Sequence, residues 1–253
     1  MITRKQPVSM VYSKALIKPD GEVLNYSDTS SGNEVLVFIH GYPFDQSIWK
    51  EQVIALSEQA RIITYDVRGY GSSSKGTEKF SIDLFADDLI FLLNSIQVNK
   101  VIVCGLSMGG YIALNLVKRY SERIKGLILY DTQCYADNAQ ARAKRYENIA
   151  LMRNGGKQKY LEDKCKILFS PVTFQQNGEI IKITLDLMLK ATDEVLIQTL
   201  EAMAEREETC SILSAIKIPA MVLCGEHDIL TPPEKSEYMQ QQIPGSVLHV
   251  IAN

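Results

Sequence analysis

Val101-Ile102-Val103-Cys104-Gly105-Leu106-Ser107-Met108-Gly109-Gly110 is the stretch on which the reading of the fold turns. Four apolar residues without a charge predict a strand covered on both faces. Residues 111–120 continue as a helix, so the serine lies at a strand-to-helix corner. The bare Gly-x-Ser-x-Gly pattern arises by chance in roughly one chain in ten of this length. Its flanks give it weight, because a strained turn between strand and helix projects the serine as a nucleophile. Side chains beside that serine would strike neighbouring backbone, and Gly105 and Gly109 have none. The competing reading is a glycine-rich turn with an incidental serine.

Outward from this corner, strands are predicted at 35–39, 61–65, 127–130, 220–224 and 247–251. Helices are predicted at 47–56, 81–96 and 233–242. In 81–96, Ile82, Phe85, Leu89, Leu92, Leu93 and Ile96 recur at helical spacing, with Asp87 and Asp88 on the opposite side. Segments 10–17 and 22–26 read as a hairpin about Pro19-Asp20-Gly21. Apolar strands alternating with helices mean an α/β fold, a mostly parallel twisted sheet with helices on both faces. Between Asp131 and Pro219 the alternation stops, leaving helical stretches at 139–151, 157–169, 179–189 and 194–206. A crossover between parallel strands needs little more than a dozen residues, so the surplus is a helical cap inserted outside the sheet. The expected division is a core at 1–131, a cap at 132–217 and a second core part at 218–253, this last part C-terminally incomplete.

The 253-residue chain has a net charge of -3 and no dense Lys/Arg run, which argues against a nucleic-acid partner. Arg4 and Lys5 precede no apolar run, so neither a secretory signal nor a membrane span is expected. The five cysteines, Cys104, Cys134, Cys165, Cys210 and Cys224, are an odd set without close pairing or metal-type spacing. A reduced, cytoplasmic setting is the expectation, with Cys134 past a strand end as either a buried or an exposed thiol.

His40-Gly41-Tyr42-Pro43 follows the strand ending at Ile39. There a glycine-permitted turn faces backbone amides toward Ser107, and the amides of Tyr42 and Met108 are the expected oxyanion hole. His40 is expected to brace this loop. Gly225-Glu226-His227-Asp228 follows the strand ending at Cys224, and Asp228 is the expected catalytic acid by chain order. Asp131 is its rival, while Glu226 and His227 read as loop residues. A base belongs after the acid, yet His249 falls within strand 247–251 and reads as a satisfied strand residue. Asp66 and Arg68 read as organisers of their own loop. Trp49 is a candidate for the substrate-binding wall or for plain packing. Tyr135, Phe169, Phe174 and Met188 are candidates for an apolar roof or for core.

Taken together, His-Gly-Tyr-Pro at 40–43, Asp-Val-Arg-Gly-Tyr-Gly-Ser at 66–72, Gly-Leu-Ser-Met-Gly-Gly at 105–110 and Gly-Glu-His-Asp at 225–228 resemble the α/β-hydrolase superfamily over nearly the whole chain. Within it the chain looks like the capped esterase and lactonase branch that includes 3-oxoadipate enol-lactonases. Serine at 107 sets it apart from members with aspartate there. The resemblance implies a catalytic histidine on a segment after the last strand, just beyond Asn253. It also implies hydrolysis of a small-molecule ester or lactone with neither cofactor nor metal. A homodimer is possible. The rivals are another chemistry on the same triad, namely a C–C hydrolase, a proline-type peptidase or a perhydrolase. A further rival is a ligand-binding protein without the base.

Overall fold

Strands made of Val, Ile, Leu and Phe without interruption have no polar face to show to water, so both faces must be covered. The computed structural model describes residues 13–252. Residues 10–12 of the expected hairpin, the Arg4-Lys5 region and Asn253 lie outside the described residues. The strands are β1 (Ser13–Ile17), β2 (Val23–Asp28), β3 (Val35–Ile39), β4 (Arg61–Tyr65), β5 (Val101–Leu106), β6 (Ile124–Tyr130), β7 (Ala220–Gly225) and β8 (Val247–Ile251). They form one sheet in the order β1-β2-β4-β3-β5-β6-β7-β8. β1 and β2 pair antiparallel, β2 meets β4 antiparallel, and every other pairing is parallel.

Alternate residues of the central strands enter different layers, as the two-residue period of a strand requires. Val37, Ile39, Ile63, Val101 and Val103 join a large core with α2 (Ile82–Ser95) and α3 (Met108–Arg119). Leu36, Phe38, Ile62 and Cys104 face the other way, toward Trp49 and α1 (Lys50–Leu56). Cys104 serves there as a small hydrophobe, and burial pushes its thiol up to about 12. The expected helix at 47–56 is two pieces, because a short 3-10 turn at Gln46–Trp49 precedes α1. Asp45 caps that turn by accepting from the Ser47 amide at 2.9 Å.

Between β6 and β7 the chain forms α4 (Ala139–Arg153), α5 (Lys157–Lys166), α6 (Pro171–Gln176), α7 (Gly178–Leu189) and α8 (Asp193–Glu205). After β7 comes α9 (Pro233–Gln242), which packs on that strand. The short α6 was not anticipated, since six residues span too few turns to show a period. Its local signals are Pro171 in the first turn and Ser170, whose Oγ accepts from the Thr173 amide at 3.2 Å.

Two expectations are corrected here. Asp88 does not sit on a solvated face. It is buried and takes both arms of Arg68, at 2.8 and 2.7 Å, with the Lys18 ammonium at 3.1 Å. Asp88 follows Phe85 by three residues and precedes Leu92 by four, so it lies beside the apolar stripe rather than opposite it, where buried cations meet it. The cysteines are not all free either, because Cys134 and Cys210 form a disulfide across 76 residues of sequence. These two residues stand at the entrance and exit of the α4–α8 segment, where the Thr209 amide also donates to the Cys134 carbonyl at 2.8 Å. Cys104, Cys165 and Cys224 are free and buried. Among the described residues no helix is long and apolar enough to cross a membrane.

Candidate active site

Ser107 lies between β5 and α3 with φ 52° and ψ −111°. A left-handed φ is uncommon for any residue with a side chain and marks a corner held by its surroundings. Four hydrogen bonds hold it, one of them from the Tyr111 amide to the Ser107 carbonyl at 3.3 Å. The Ser107 amide donates to the Tyr130 carbonyl at 2.9 Å. The Ser107 carbonyl accepts from the Gly110 amide at 2.9 Å and from Thr132 Oγ1 at 2.8 Å. A Cβ at Gly105 would overlap the Gly109 carbonyl, and one at Gly109 would overlap the Ile39 carbonyl. The corner therefore closes against β3 only because both positions lack side chains.

The loop after β3 lies against this corner, close enough that a Cβ on Gly41 would stand 3.4 Å from Ser107 Cβ. His40 is fully buried. Its Nδ1 pairs with the Gly41 carbonyl at 3.1 Å and its Nε2 accepts from the Val67 amide at 2.9 Å. Both ring nitrogens are thus occupied, and burial lowers its pKa, keeping the imidazole neutral. His40 fastens the loop, as expected. Asp66 fastens the neighbouring turn by accepting from Asn25 Nδ2 and from the amides of Gln46 and Ser72, at 2.7 to 2.9 Å.

Above the corner is a cavity of about 600 Å³. Its sheet wall carries Ser107, Gly41, Tyr42, Asp131 and Asp228, and its helical wall carries Lys164, Leu168, Phe169 and Leu187. Trp49 lines it too, while its ring stacks on Phe38 at 4.6 Å, so the residue both packs and faces the cavity. Met108 is fully buried behind the wall as the first residue of α3. A first-turn amide has no acceptor within its own helix, so the Met108 N–H is available to an anion.

Asp228 follows β7 and is tied down by three donors. Its Oδ1 accepts from the amides of Leu230 at 2.7 Å and Thr231 at 3.1 Å, and its Oδ2 accepts from Thr231 Oγ1 at 2.6 Å. Asp131 follows β6 with φ 42° and accepts from the Gly225 amide at 2.8 Å. Burial, together with the Asp228 carboxylate beside it, pushes its carboxyl up to about 6 against the pull of the Gly225 amide. The two carboxyls that competed for one role in the sequence thus share one wall.

The remaining candidates separate. His249 is on β8, as expected, but is exposed rather than satisfied within the sheet, and it does not line the cavity. His227 does line it, from an exposed loop position. Of the roof candidates only Phe169 lines the cavity, whereas Met188 is core and Tyr135 packs against Tyr238 at 5.2 Å. Lys164 was not singled out in the sequence. Burial and the nearby Arg145 guanidinium push its ammonium down to about 8, against the opposing pull of Asp228. Among the described residues no group of three His, Cys, Asp or Glu side chains is placed to hold a metal ion.

The chain as a whole is similar to known proteins. The chain is 27% identical over 229 residues to 3-oxoadipate enol-lactonase 2 of Acinetobacter baylyi, covering 90% of this chain and 84% of that one. A thermophilic esterase from Thermogutta terrifontis superposes with a TM-score of 0.88 at 31% identity, over 95% of this chain and 90% of the other. The enol-lactonase from Burkholderia xenovorans shares the fold with a TM-score of 0.84 at 23% identity, over 92% and 89% of the two chains. The family described as alpha/beta hydrolase fold matches residues 34–163. With a mostly parallel sheet, a serine corner after β5 and two carboxyls at the ends of β6 and β7, this chain belongs to the alpha/beta hydrolase family and is an enzyme of that class.

Proposed function

We propose that the chain hydrolyses small carboxylic esters or lactones through an acyl-enzyme on Ser107. The observation that carries this reading is the left-handed corner at Ser107, facing a cavity that also holds Asp228. The Ser107 hydroxyl passes its proton to an imidazole and its oxygen bonds to the substrate's carbonyl carbon. The amides of Tyr42 and Met108 stabilise the resulting oxyanion. Collapse expels the alcohol, which takes the proton from the imidazolium. Water then attacks the acyl group by the same route and frees the acid and Ser107.

Asp228 is the carboxylate that orients the imidazole. Its three donors hold its carboxyl in one orientation, whereas the Asp131 carboxyl is pushed up to about 6. The α4–α8 segment acts as the cap that shapes the substrate cavity. For the base, the family resemblance points to an imidazole after β8. The structure adds His227 as a second candidate, because it lines the same cavity. His227→Ala tests the second candidate: loss of turnover assigns the base to His227, and unchanged turnover excludes it.

The test of the whole reading is hydrolysis of p-nitrophenyl acetate and of a simple lactone, with Ser107→Ala as the control. Turnover that survives this substitution removes Ser107 from the mechanism.

A further inference from the structure

Lys164 differs from the other cations in its neighbourhood. On its own helix, Lys159 and Lys166 are both held by Asp163, and Lys157 is held by Asp193 and by the carbonyls of Leu189 and Ala191. Farther in, Arg145 and Arg206 rest on Asp137, and Arg68 rests on Asp88. Among the described residues the Lys164 ammonium has neither an ion-pair partner nor a hydrogen bond. It lies 5.7 Å from the centroid of the Tyr42 ring and lines the cavity that Ser107 faces. Asp163 beside it in sequence is already shared by two exposed lysines. Lys164 is half-buried, and a cation drawn partly out of water without a partner gains from an anion that enters the cavity beside it.

We propose that Lys164 is a specificity-determining residue that binds a carboxylate of the substrate, so that the preferred ester or lactone carries a free carboxylate on an aliphatic spacer. The claim rests on the Ser107 hydrolase reading and narrows it. The geometry sets the polarity of the bound molecule. Asp131 and Asp228 repel a second anion from the sheet wall, where the scissile carbonyl must lie, and Lys164 attracts one to the helical wall. Phe44, Trp49, Leu168 and Phe169 supply apolar surface for the spacer. One cation without a second donor set matches a single carboxylate better than a doubly charged phosphate, which seeks several donors.

Binding separates this claim from catalysis. In the Ser107→Ala protein, which leaves the ester intact, the affinities of monomethyl and dimethyl esters of succinate, glutarate and adipate are measured by calorimetry. The two members of each pair differ only in whether one carboxylate is free. For at least one chain length the monoester is expected to bind about 10- to 100-fold tighter, the worth of one charge-assisted hydrogen bond. Adding Lys164→Met should bring that ratio to within about twofold, while Lys164→Arg, which keeps the charge, should retain a preference. Thermal melts of each variant check folding, and Lys164→Met is expected to melt no lower, because it removes an unpaired charge. Equal affinity for both members of every pair, a ratio that survives Lys164→Met, or no binding of any ester each overturns the proposal. The hydrolase reading fails by a different result, p-nitrophenyl acetate turnover that survives Ser107→Ala, which leaves these binding ratios untouched.

Discussion

On the sheet side of the cavity, Ser107, Asp131 and Asp228 each leave the end of a parallel strand whose neighbours fix its register. On the helical side, Lys164 and Phe169 are carried by α5 and the turn after it, in a segment where Val172 and Ile183 leave 60% and 58% of their surface exposed. The sheet wall is over-determined: two left-handed residues, a neutral buried histidine and tied carboxylates hold it. The helical segment is anchored at its base by the Cys134–Cys210 disulfide and the buried Asp137 pairs with Arg145 and Arg206, while the part that faces the cavity is held by amphipathic packing and surface ion pairs, which tolerate change. Reactive groups need sub-ångström placement, while substrate selection needs only a shaped surface with one or two fixed charges. A molecule divided in this way can keep its chemistry while the helical wall changes its substrate.

The division breaks first at the nucleophile. Ser107→Ala is expected to lower kcat/KM for p-nitrophenyl acetate by at least about 10⁴-fold. Phe169→Ala on the opposite wall should change it by no more than about tenfold, through lost apolar contact alone. Comparable losses at both positions would show that the helical wall takes part in the chemistry. Next in size is the acid. Asp228→Asn should cost about 10²- to 10⁴-fold in kcat, because an amide does not stabilise the imidazolium. Asp131→Asn should stay within about tenfold, and the reverse order would exchange their roles.

The backbone gives a third comparison. Gly109→Ala places a methyl against the Ile39 carbonyl, whereas Gly178, at the start of α7, has nothing within 4 Å of an added Cβ. Thermal melts should show Gly109→Ala destabilised by about 1–3 kcal/mol. Gly178→Ala should be neutral or stabilising by about 0.5 kcal/mol, since alanine loses less backbone freedom on folding. A neutral Gly109→Ala would mean that the corner is looser than its contacts indicate.

The same division explains what the sequence disclosed. The corner at Ser107 was legible because its requirements are local: an apolar strand, two glycines and a helix within a dozen residues. All eight strands and the run of helices between β6 and β7 were legible for the same reason, from apolar runs, helical periodicity and the Pro19-Asp20-Gly21 turn. Lys164 was not legible, because Lys-Gln-Lys-Tyr-Leu-Glu-Asp-Lys-Cys-Lys at 157–166 reads as an ordinary charged helix face. Only the packing of α5 over a loop more than a hundred residues earlier turns one of its lysines inward. Pairing of Cys134 with Cys210 and of Arg68 with Asp88 is likewise tertiary. That Asp131 reaches the region of Asp228 was legible, since each ends a parallel strand, but the effect of burial on the Asp131 carboxyl was not.

That neighbourhood yields the smallest expected effect and the sharpest sign. The folded protein holds the Asp131 carboxyl up to about 6, above the ordinary value of 3.8, because burial and the adjacent Asp228 disfavour its charge. A carboxyl raised on folding supports the fold while protonated, and that support is lost as pH rises through the folded value. At pH 8 the charged Asp131 therefore strains the sheet wall. Asp131→Asn keeps an oxygen for the Gly225 amide and removes the charge, so the variant should be more stable than the parent at pH 8. The expected gain is about 1–2 kcal/mol, after discounting the shift for solvent screening at a partly exposed group. The gain should shrink as pH falls through 6 and vanish near pH 4, where both proteins carry a neutral group at this position. Denaturant melts at pH 4, 6 and 8 read it directly. A gain independent of pH would assign the effect to packing, and a loss at pH 8 would show that the charged carboxylate is held by a donor stronger than the Gly225 amide.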